Sequence, residues 1–155
     1  NIIKLKLDAV FRECDAHLSK LSRSSSMLTP LFPLTVQSLK ELPEESITLL
    51  DQFLYRFIKL QDSMGTRLIP VIAGLVSGSD DPRPFIDSLN ILEKNLIIES
   101  AEKWQELRNI RNRLAHEYPD SADITVSSLN RLIAEWREME NMYLSTKRYY
   151  AERLS

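Results

Sequence analysis

Apolar residues recur along this 155-residue chain at the three- and four-residue spacing of amphipathic helices, and strand-like alternation is nearly absent. The first such segment places its apolar residues on one predicted helix face: Ile3, Leu7, Val10, Phe11, Cys14, Leu18 and Leu21. The serines at 22–26 are expected to end this helix, and residues 27–42 are expected to form a connection or a short helix. Pro43, followed by Glu44 and Glu45, predicts the start of a second helix, because proline fits the first turn and carboxylates favour its positive end.

The middle of the chain is predicted to form two helical segments separated by a loop. The second helix is predicted to include residues 48–65, with a break or kink at Gly65 and Pro70. An apolar piece then reaches Val76, and the turn-forming residues 77–84 predict a loop. A short helix is predicted around residues 85–95, and three of its apolar residues are expected to face inward: Leu89, Leu92 and Leu96.

Two further helices are predicted towards the C-terminus. Ser100 is expected to cap one of them, with Glu102 in its first turn. Residues 119–121 interrupt the pattern, and Ser121 or Asp123 is expected to cap a long last helix, whose end at 147–155 is expected to fray or to serve an interface. Its apolar residues recur at helical spacing: Ile124, Leu129, Leu132, Ile133, Trp136, Met139 and Tyr143. The whole pattern predicts one all-α domain over residues 1–155, an antiparallel bundle of about five helices.

Composition and charge narrow the class of protein. Hydrophobic residues make up 43% and charged residues 27%, which is typical of a soluble globular domain. A net charge of −2 argues against a globally basic nucleic-acid coat protein but leaves room for a local basic patch. The single cysteine, Cys14, is expected to be a small buried hydrophobe, and its use fits a cytoplasmic location. The most apolar run, residues 68–76, is too short to span a bilayer, so no membrane is expected.

The sequence 108-RNIRNRLAHEY-118 concentrates hydrogen-bond donors and one imidazole in a predicted helix. On a helical wheel of about 100° per residue, one arc is expected to face the core: Trp104, Leu107, Ile110, Leu114 and Tyr118. The adjacent arc contains the polar residues and one small residue: Arg111, Arg108, Ala115, Asn112 and His116. Arg111 and His116 diverge by about 140° on this wheel. They can meet if the arginine reaches across Ala115, or if a second copy of the helix faces the first.

The motif contains arginine and histidine but no carboxylate cluster and no Cys/His spacing typical of a metal site. This combination suits metal-free chemistry on a phosphodiester, so neither a metal nor a cofactor is expected. Arginine binds phosphate through two parallel hydrogen bonds, and histidine titrates near neutrality and can move a proton. RNA fits this chemistry better than DNA, because its 2′-hydroxyl is a built-in nucleophile beside the phosphate. The alternative is a solvated helix face whose arginines pair with Glu106 or Glu117.

Residues 111–118 match the signature R-N-x-x-x-H-x-Y, and segments 51–65, 84–98 and 104–120 resemble HepT-type sequences in the same order. The chain therefore resembles the HEPN superfamily (higher eukaryotes and prokaryotes nucleotide-binding domain), and within it the HepT-like ribonuclease toxins, over roughly residues 45–150. The resemblance implies a HEPN-like helical bundle that forms a homodimer, in which the motif helices of two protomers line one cleft. It also implies a metal-independent endoribonuclease toxin whose partner is a minimal nucleotidyltransferase antitoxin.

The resemblance also assigns roles to single residues. Arg111 would bind and stabilise the phosphate, His116 would act as general base or acid, and Asn112 would orient the phosphate or the imidazole. Tyr118 would accept AMP from the nucleotidyltransferase, and the added charge and bulk would exclude substrate. The alternative for Tyr118 is an aromatic at the edge of the core. Arg108 lies on the cleft arc and is a candidate contact to the RNA backbone.

Two other functions are alternatives to the ribonuclease: a non-catalytic nucleotide-binding or regulatory partner of a nucleotidyltransferase, and a helical scaffold whose motif is only a charged face.

Other residues have no role in the signature. His17 is expected at the surface, and Arg113, at an unspecified position of the signature, is expected to be solvated. Both tryptophans, Trp104 and Trp136, are expected to pack in the core. A charged stripe on the second helix is interpreted as a solvated face, with flanking the cleft or supporting the dimer as alternatives: Arg56, Lys59 and Asp62.

Overall fold

The computed structural model describes residues 1–115 and 122–155, and most of them lie in helices. The first part of the chain forms α1 (Ile2–Leu28), a 3-10 turn (Thr29–Leu31), α2 (Val36–Lys40) and α3 (Glu44–Ser63). A π-helical segment (Met64–Leu68) joins α3 to α4 (Ile69–Ser77), and α5 (Phe85–Lys94) and α6 (Ala101–Ala115) follow. The chain ends with α7 (Ala122–Glu135), α8 (Arg137–Tyr149) and a π-helical turn (Tyr150–Leu154). No strand occurs in either described range, and the predicted all-α helical bundle is confirmed.

The helices pack mainly in pairs, α1 against α3, α4 against α5 and α6 against α7. Their apolar faces meet in one continuous core, whose largest fully buried side chains include both tryptophans and residues from α1, α3 and α8: Trp104, Trp136, Tyr143, Phe53, Phe57 and Leu21. The predicted packing role of the two tryptophans is therefore confirmed. Cys14 is fully buried as expected, and burial raises the pKa of its thiol to about 12.

The prediction that the serines at 22–26 end the first helix is wrong, because α1 continues to Leu28. Ser24 Oγ donates a hydrogen bond to the Lys20 carbonyl at 2.9 Å, so its hydroxyl is satisfied inside the helix. Ser25 Oγ accepts a hydrogen bond of 2.7 Å from the buried Trp136 indole nitrogen. Tertiary contacts therefore keep this serine-rich turn helical, although its local preference is for a break.

The prediction that Leu96 faces inward is also wrong, since its side chain is 89% exposed. Leu96 has a φ of 60° and follows the end of α5, where the Ile97 amide donates to the Leu92 carbonyl at 2.9 Å and the Leu96 amide donates to the Glu93 carbonyl at 3.0 Å. These two bonds form a Schellman motif. The motif turns the chain, so the buried Ile97 occupies the inward position that helical spacing had assigned to Leu96.

The long last helix predicted from the sequence is divided at Trp136 into α7 and α8. At this point the Met139 amide donates to the Trp136 carbonyl at 2.9 Å, a three-residue spacing that tightens the turn. Trp136 is almost fully buried and its ring packs edge-on against Phe53, with centroids 6.5 Å apart. Ile124, near the start of α7, is 49% exposed and lies outside the core.

Candidate functional site

The helix that contains the arginine-rich motif, α6, runs antiparallel to α3. Near the start of α6, the Gln61 side-chain amide donates to the Trp104 carbonyl at 3.4 Å. Further along α6, Arg111 Nη1 reaches back to the carbonyl of Ile58, which precedes Gln61 on α3. Ser100 Oγ accepts a hydrogen bond of 3.0 Å from the Lys103 amide, which confirms it as the residue that caps α6.

Arg111 is held at the junction of α3 and α6 by acceptors on α3. Its Nη1 atom donates to Asp62 Oδ1 at 2.7 Å, and it lies 3.4 Å from both Gln61 Oε1 and the Ile58 carbonyl. The Arg111 side chain is only 11% exposed, whereas that of Asp62 is 46% exposed. Its Nε atom is buried and has no hydrogen-bond partner among the described residues. The guanidinium is therefore fixed through one nitrogen, and its remaining donors make no contact of this kind within residues 1–115 and 122–155.

The neighbouring motif residues separate into buried and exposed positions. Trp104, Leu107 and Ile110 are fully buried, as the helical wheel predicted. The exposed residues lie elsewhere around α6: Arg108, Asn109, Asn112, Arg113 and Ala115. Arg113 also lines a shallow cavity with Asp123 and Arg131 of α7, away from the acceptors of Arg111. The structure thus brings Arg108, Arg111 and Asn112 together on the last turns of α6.

Two of the predicted site residues, His116 and Tyr118, lie outside the residues that the structure describes. The same holds for Ser121, one of the two residues predicted to cap α7. The predicted role of Asn112 in orienting the phosphate or the His116 imidazole therefore stays a prediction, as does the meeting of Arg111 with His116.

The α3 residues that hold Arg111 are the part of the site that the sequence did not predict. Asp62 belongs to the charged stripe that is interpreted as a solvated face; its side chain is 46% exposed, but it also forms the ion pair with Arg111, which that interpretation does not include. Gln61 is fully buried, and it follows Phe57 and Leu60 in the apolar row of α3. A glutamine at such a position was a usable signal, because a buried amide requires hydrogen-bond partners.

A second polar cluster lies between α1 and α3, where His17 is 8% exposed and the prediction of a surface histidine is wrong. The Arg56 guanidinium donates to His17 Nδ1 at 2.9 Å, so the other ring nitrogen, Nε2, carries the proton and faces Glu13 Oε1 at 3.4 Å. Burial lowers the pKa of His17, and the positive charge of Arg56 acts in the same direction, whereas Glu13 opposes the shift. Arg56, like Asp62, is therefore not part of a simply solvated stripe.

Glu13 joins this cluster to the π-helical segment after α3. Its carboxylate forms an ion pair with Arg67 and accepts a hydrogen bond of 3.0 Å from Ser63 Oγ. The hydrogen bond from Arg67 lowers the pKa of Glu13, and burial only partly offsets this effect. The cluster therefore favours an ionised Glu13 and a neutral His17, an arrangement that links α1 to α3 without any contact to Arg111.

Other features of the described residues contribute little to this site. A mostly apolar cavity of about 740 Å³ lies between the start of α1, α4 and the loop before α5, and no residue of the motif helix lines it. In the two described ranges, no three His, Cys, Asp or Glu side chains gather as a metal site would require. None of the described helices combines the length and hydrophobicity needed to cross a membrane.

The candidate site is thus a largely buried arginine, anchored on α3, beside the exposed residues Arg108, Asn112 and Ala115 of α6. On α3, Tyr55 and Lys59 are exposed as well. Comparison of the chain with protein-family models, with curated proteins and with solved structures finds no match.

Proposed function

We propose that this chain is a metal-independent endoribonuclease that acts as a homodimer, and that it is a toxin of the HepT-like type. The observation that carries the proposal is Arg111, which lies in the R-N-x-x-x-H-x-Y signature and is held at 2.7 Å by Asp62. A guanidinium keeps its charge at any physiological pH, and its position at the junction of two helices limits its motion. Such a fixed cation is what stabilisation of a developing phosphorane requires.

The proposed reaction uses the 2′-hydroxyl of the RNA as nucleophile. His116 removes the hydroxyl proton as the 2′-oxygen attacks phosphorus, and Arg111 stabilises the charge on the phosphoryl oxygens. Asn112, exposed on the same turn of α6, orients the phosphate or the imidazole. The bond to the 5′-oxygen breaks, a general acid returns a proton to that oxygen, and the other product ends in a 2′,3′-cyclic phosphate.

The proposed regulation comes from a minimal nucleotidyltransferase antitoxin that acts on Tyr118 in the cytoplasm. Transfer of AMP to the phenol oxygen would release pyrophosphate from ATP and add a phosphodiester charge two residues from His116. That charge would repel the phosphate of an RNA substrate, and the nucleotide would occupy the space it needs. Support for this step comes from the signature tyrosine alone.

The test is cleavage of labelled RNA by the purified protein in the presence of EDTA. We expect cleavage to continue with the chelator and to fall at least about 100-fold in His116→Ala and in Arg111→Ala, because each variant removes a group that acts in the transition state. Arg113→Ala is the matched control, since Arg113 is exposed on the same helix and occupies a position that the signature leaves unspecified. Circular dichroism and the urea midpoint check that each variant folds. Undiminished cleavage by both site variants would contradict the proposal.

A second candidate is a non-catalytic module that binds a nucleotide or serves a nucleotidyltransferase as its regulatory partner. The ion pair with Asp62 bears on this candidate, because it neutralises part of the Arg111 charge, and binding a nucleotide phosphate requires less stabilisation from that charge than a phosphorane transition state does. It predicts saturable binding of AMP or ATP, measured by calorimetry and weakened in Arg111→Ala, with no RNA cleavage by the wild type. Cleavage by the wild type under the same conditions would contradict it.

A further inference from the structure

A row of exposed residues on α3 begins beside Arg111 and leads away from it. On a helical wheel, Tyr55 and Asp62 differ by about 20°, and Lys59 lies within about 40° of Tyr55. This row is opposite the buried face of α3, which contains Phe53 and Phe57. Tyr55 is 51% exposed, and at a rise of 1.5 Å per residue its Cα lies about 10 Å along the helix from that of Asp62.

Two cations lie near the Tyr55 ring. The guanidinium carbon of Arg56 is 5.2 Å from the ring centroid, and Lys59 Nζ is 5.6 Å from it. Arg56 is held in place by its bond to the buried His17. Lys59 forms no ion pair with another described residue, so its charge is not neutralised within the described ranges.

The direction of this row relates it to the motif helix. Because α3 and α6 are antiparallel, the step from Asp62 to Tyr55 on α3 runs the same way as the step from Arg111 to Ala115 on α6. Both helices expose polar or small residues along this line: Lys59 and Tyr55 on α3, and Asn112 and Ala115 on α6. A strand whose phosphate sits at Arg111 would therefore pass next to Lys59 and Tyr55.

We propose that Tyr55, Arg56 and Lys59 form a binding site for a single-stranded segment of RNA adjoining the phosphate at Arg111, an inference that rests on the proposed ribonuclease function. The Tyr55 ring stacks on one base, and Lys59 contacts a backbone phosphate. An exposed aromatic ring flanked by cations is the arrangement by which proteins bind single strands, because every base offers a π-face and every nucleotide a charge. Double-stranded RNA would not fit, since its bases are already stacked.

The experiment measures the affinity of the full chain for a fluorescent single-stranded oligonucleotide of 2′-O-methyl RNA, which lacks the nucleophile and stays intact. Tyr55→Ala is expected to weaken binding by about 5- to 150-fold, the range for loss of one stacked base, and Tyr55→Phe is expected to retain it. Lys59→Gln is expected to reduce the slope of log affinity against log salt by about 0.7. A duplex of the same sequence should bind equally to the wild type and to Tyr55→Ala.

Tyr149→Ala is the matched control, because Tyr149 on α8 also lies beside a cation, Arg153, at 5.6 Å. Equal affinity of the wild type and Tyr55→Ala would overturn the proposed site, and so would failure of the wild type to bind the single strand. Light scattering measures the oligomeric state of both proteins. If the wild type is a dimer and Tyr55→Ala is a monomer, this face is a subunit contact, and the proposed site would be overturned as well.

Cleavage of unmodified RNA, measured in parallel, separates this inference from the proposed function. Cleavage by a protein whose binding does not depend on Tyr55 would overturn only the α3 site. Binding that depends on Tyr55 without any cleavage would support the α3 site and contradict the ribonuclease.

Discussion

Arg111 keeps its charge under all physiological conditions, yet only 11% of its side chain is exposed. The cost of removing this charge from water is offset by acceptors on α3, chiefly the Asp62 carboxylate at 2.7 Å. Within this ion pair the Arg111 side chain is largely buried, whereas the Asp62 side chain is 46% exposed. The contribution of the pair should therefore lie between that of a surface pair and that of a fully buried one.

Replacing Asp62 tests this balance. We expect Asp62→Ala to lower the free energy of unfolding by about 1–2 kcal/mol, because Arg111 then remains poorly exposed with only weak neutral acceptors. Urea denaturation measures the change, and Asp51→Ala, an exposed site on the same helix, should stay within about 0.5 kcal/mol of the wild type. A double-mutant cycle with Arg111→Ala should show a coupling between the two residues. Equal stabilities of Asp62→Ala and Asp51→Ala would contradict this account.

His17 gives a prediction about pH. Its pKa in the folded chain is below the ordinary value of 6.5, chiefly because of burial, so the unfolded chain binds a proton that the folded chain resists. The free energy of unfolding should therefore fall as the pH drops below about 6.5. In His17→Gln, which cannot titrate, the fall in stability between about pH 7.5 and 5.5 should be smaller. Glu13 does not interfere, because its pKa is lowered from 4.5 and it titrates below this window. Parallel pH profiles for the two proteins would rule the mechanism out.

At the scale of the helices, the turn after α5 places a leucine where the backbone favours glycine. Leu96 has a φ of 60° and is 89% exposed, so its side chain contributes little packing in return for the strained backbone. Leu96→Gly should therefore raise the free energy of unfolding by about 0.5–1 kcal/mol, the gain being reduced by the greater freedom of glycine in the unfolded chain. The urea midpoint measures this effect, with Leu144→Gly, an exposed position inside α8, expected to destabilise. A destabilised Leu96→Gly would show that the leucine contributes contacts beyond its backbone.

The helices themselves could be predicted from the sequence, because the spacing of apolar residues follows directly from burial of one helix face. Helix ends were less predictable where distant contacts decide them, as when Trp136 satisfies Ser25 and keeps the end of α1 helical. The candidate site likewise has a part that the local sequence predicts and a part that depends on distant contacts. Arg111 was predicted from a local motif, but Asp62 lies 49 residues earlier, and no local pattern states which carboxylate an arginine will meet.

At the scale of the whole molecule, distant segments are connected by a few buried or partly buried polar contacts as well as by the core. Tyr143 on α8 donates to the Asp15 carboxylate at 2.6 Å and lies 3.0 Å from the Phe11 carbonyl, which joins α8 to α1. Asn130 on α7 brackets Leu34 with two hydrogen bonds of 2.7 and 2.9 Å. Because α1 packs against α3 and α7 packs against α6, these contacts extend the framework around Arg111. The cleft implied by the proposed homodimer, by contrast, would require a second chain.

The last prediction concerns that second chain. Arg111 is directed towards Asp62 of its own α3, and the helical wheel drawn from the sequence predicts a separation of about 140° from His116. If each proposed ribonuclease site combines Arg111 of one protomer with His116 of the other, a mixed dimer of Arg111→Ala and His116→Ala has one intact site. Co-expression of equal amounts gives mixed dimers in about half of the population, so cleavage should recover to about a quarter of the wild-type rate. Each variant alone should stay inactive.

A second mixture, of wild type with the double variant Arg111→Ala/His116→Ala, checks the same geometry from the opposite side. With shared sites, the mixed dimers have no complete site, and only the wild-type dimers, about a quarter of the total, contribute. With sites contained in single protomers, each mixed dimer retains one, and activity rises to about a half. Shared sites therefore give about a quarter of the wild-type cleavage rate in both mixtures. Separate sites give no cleavage in the first mixture and about half of the wild-type rate in the second. Unequal expression of the two chains cannot imitate shared sites, because separate sites give no cleavage in the first mixture at any ratio of the two variants.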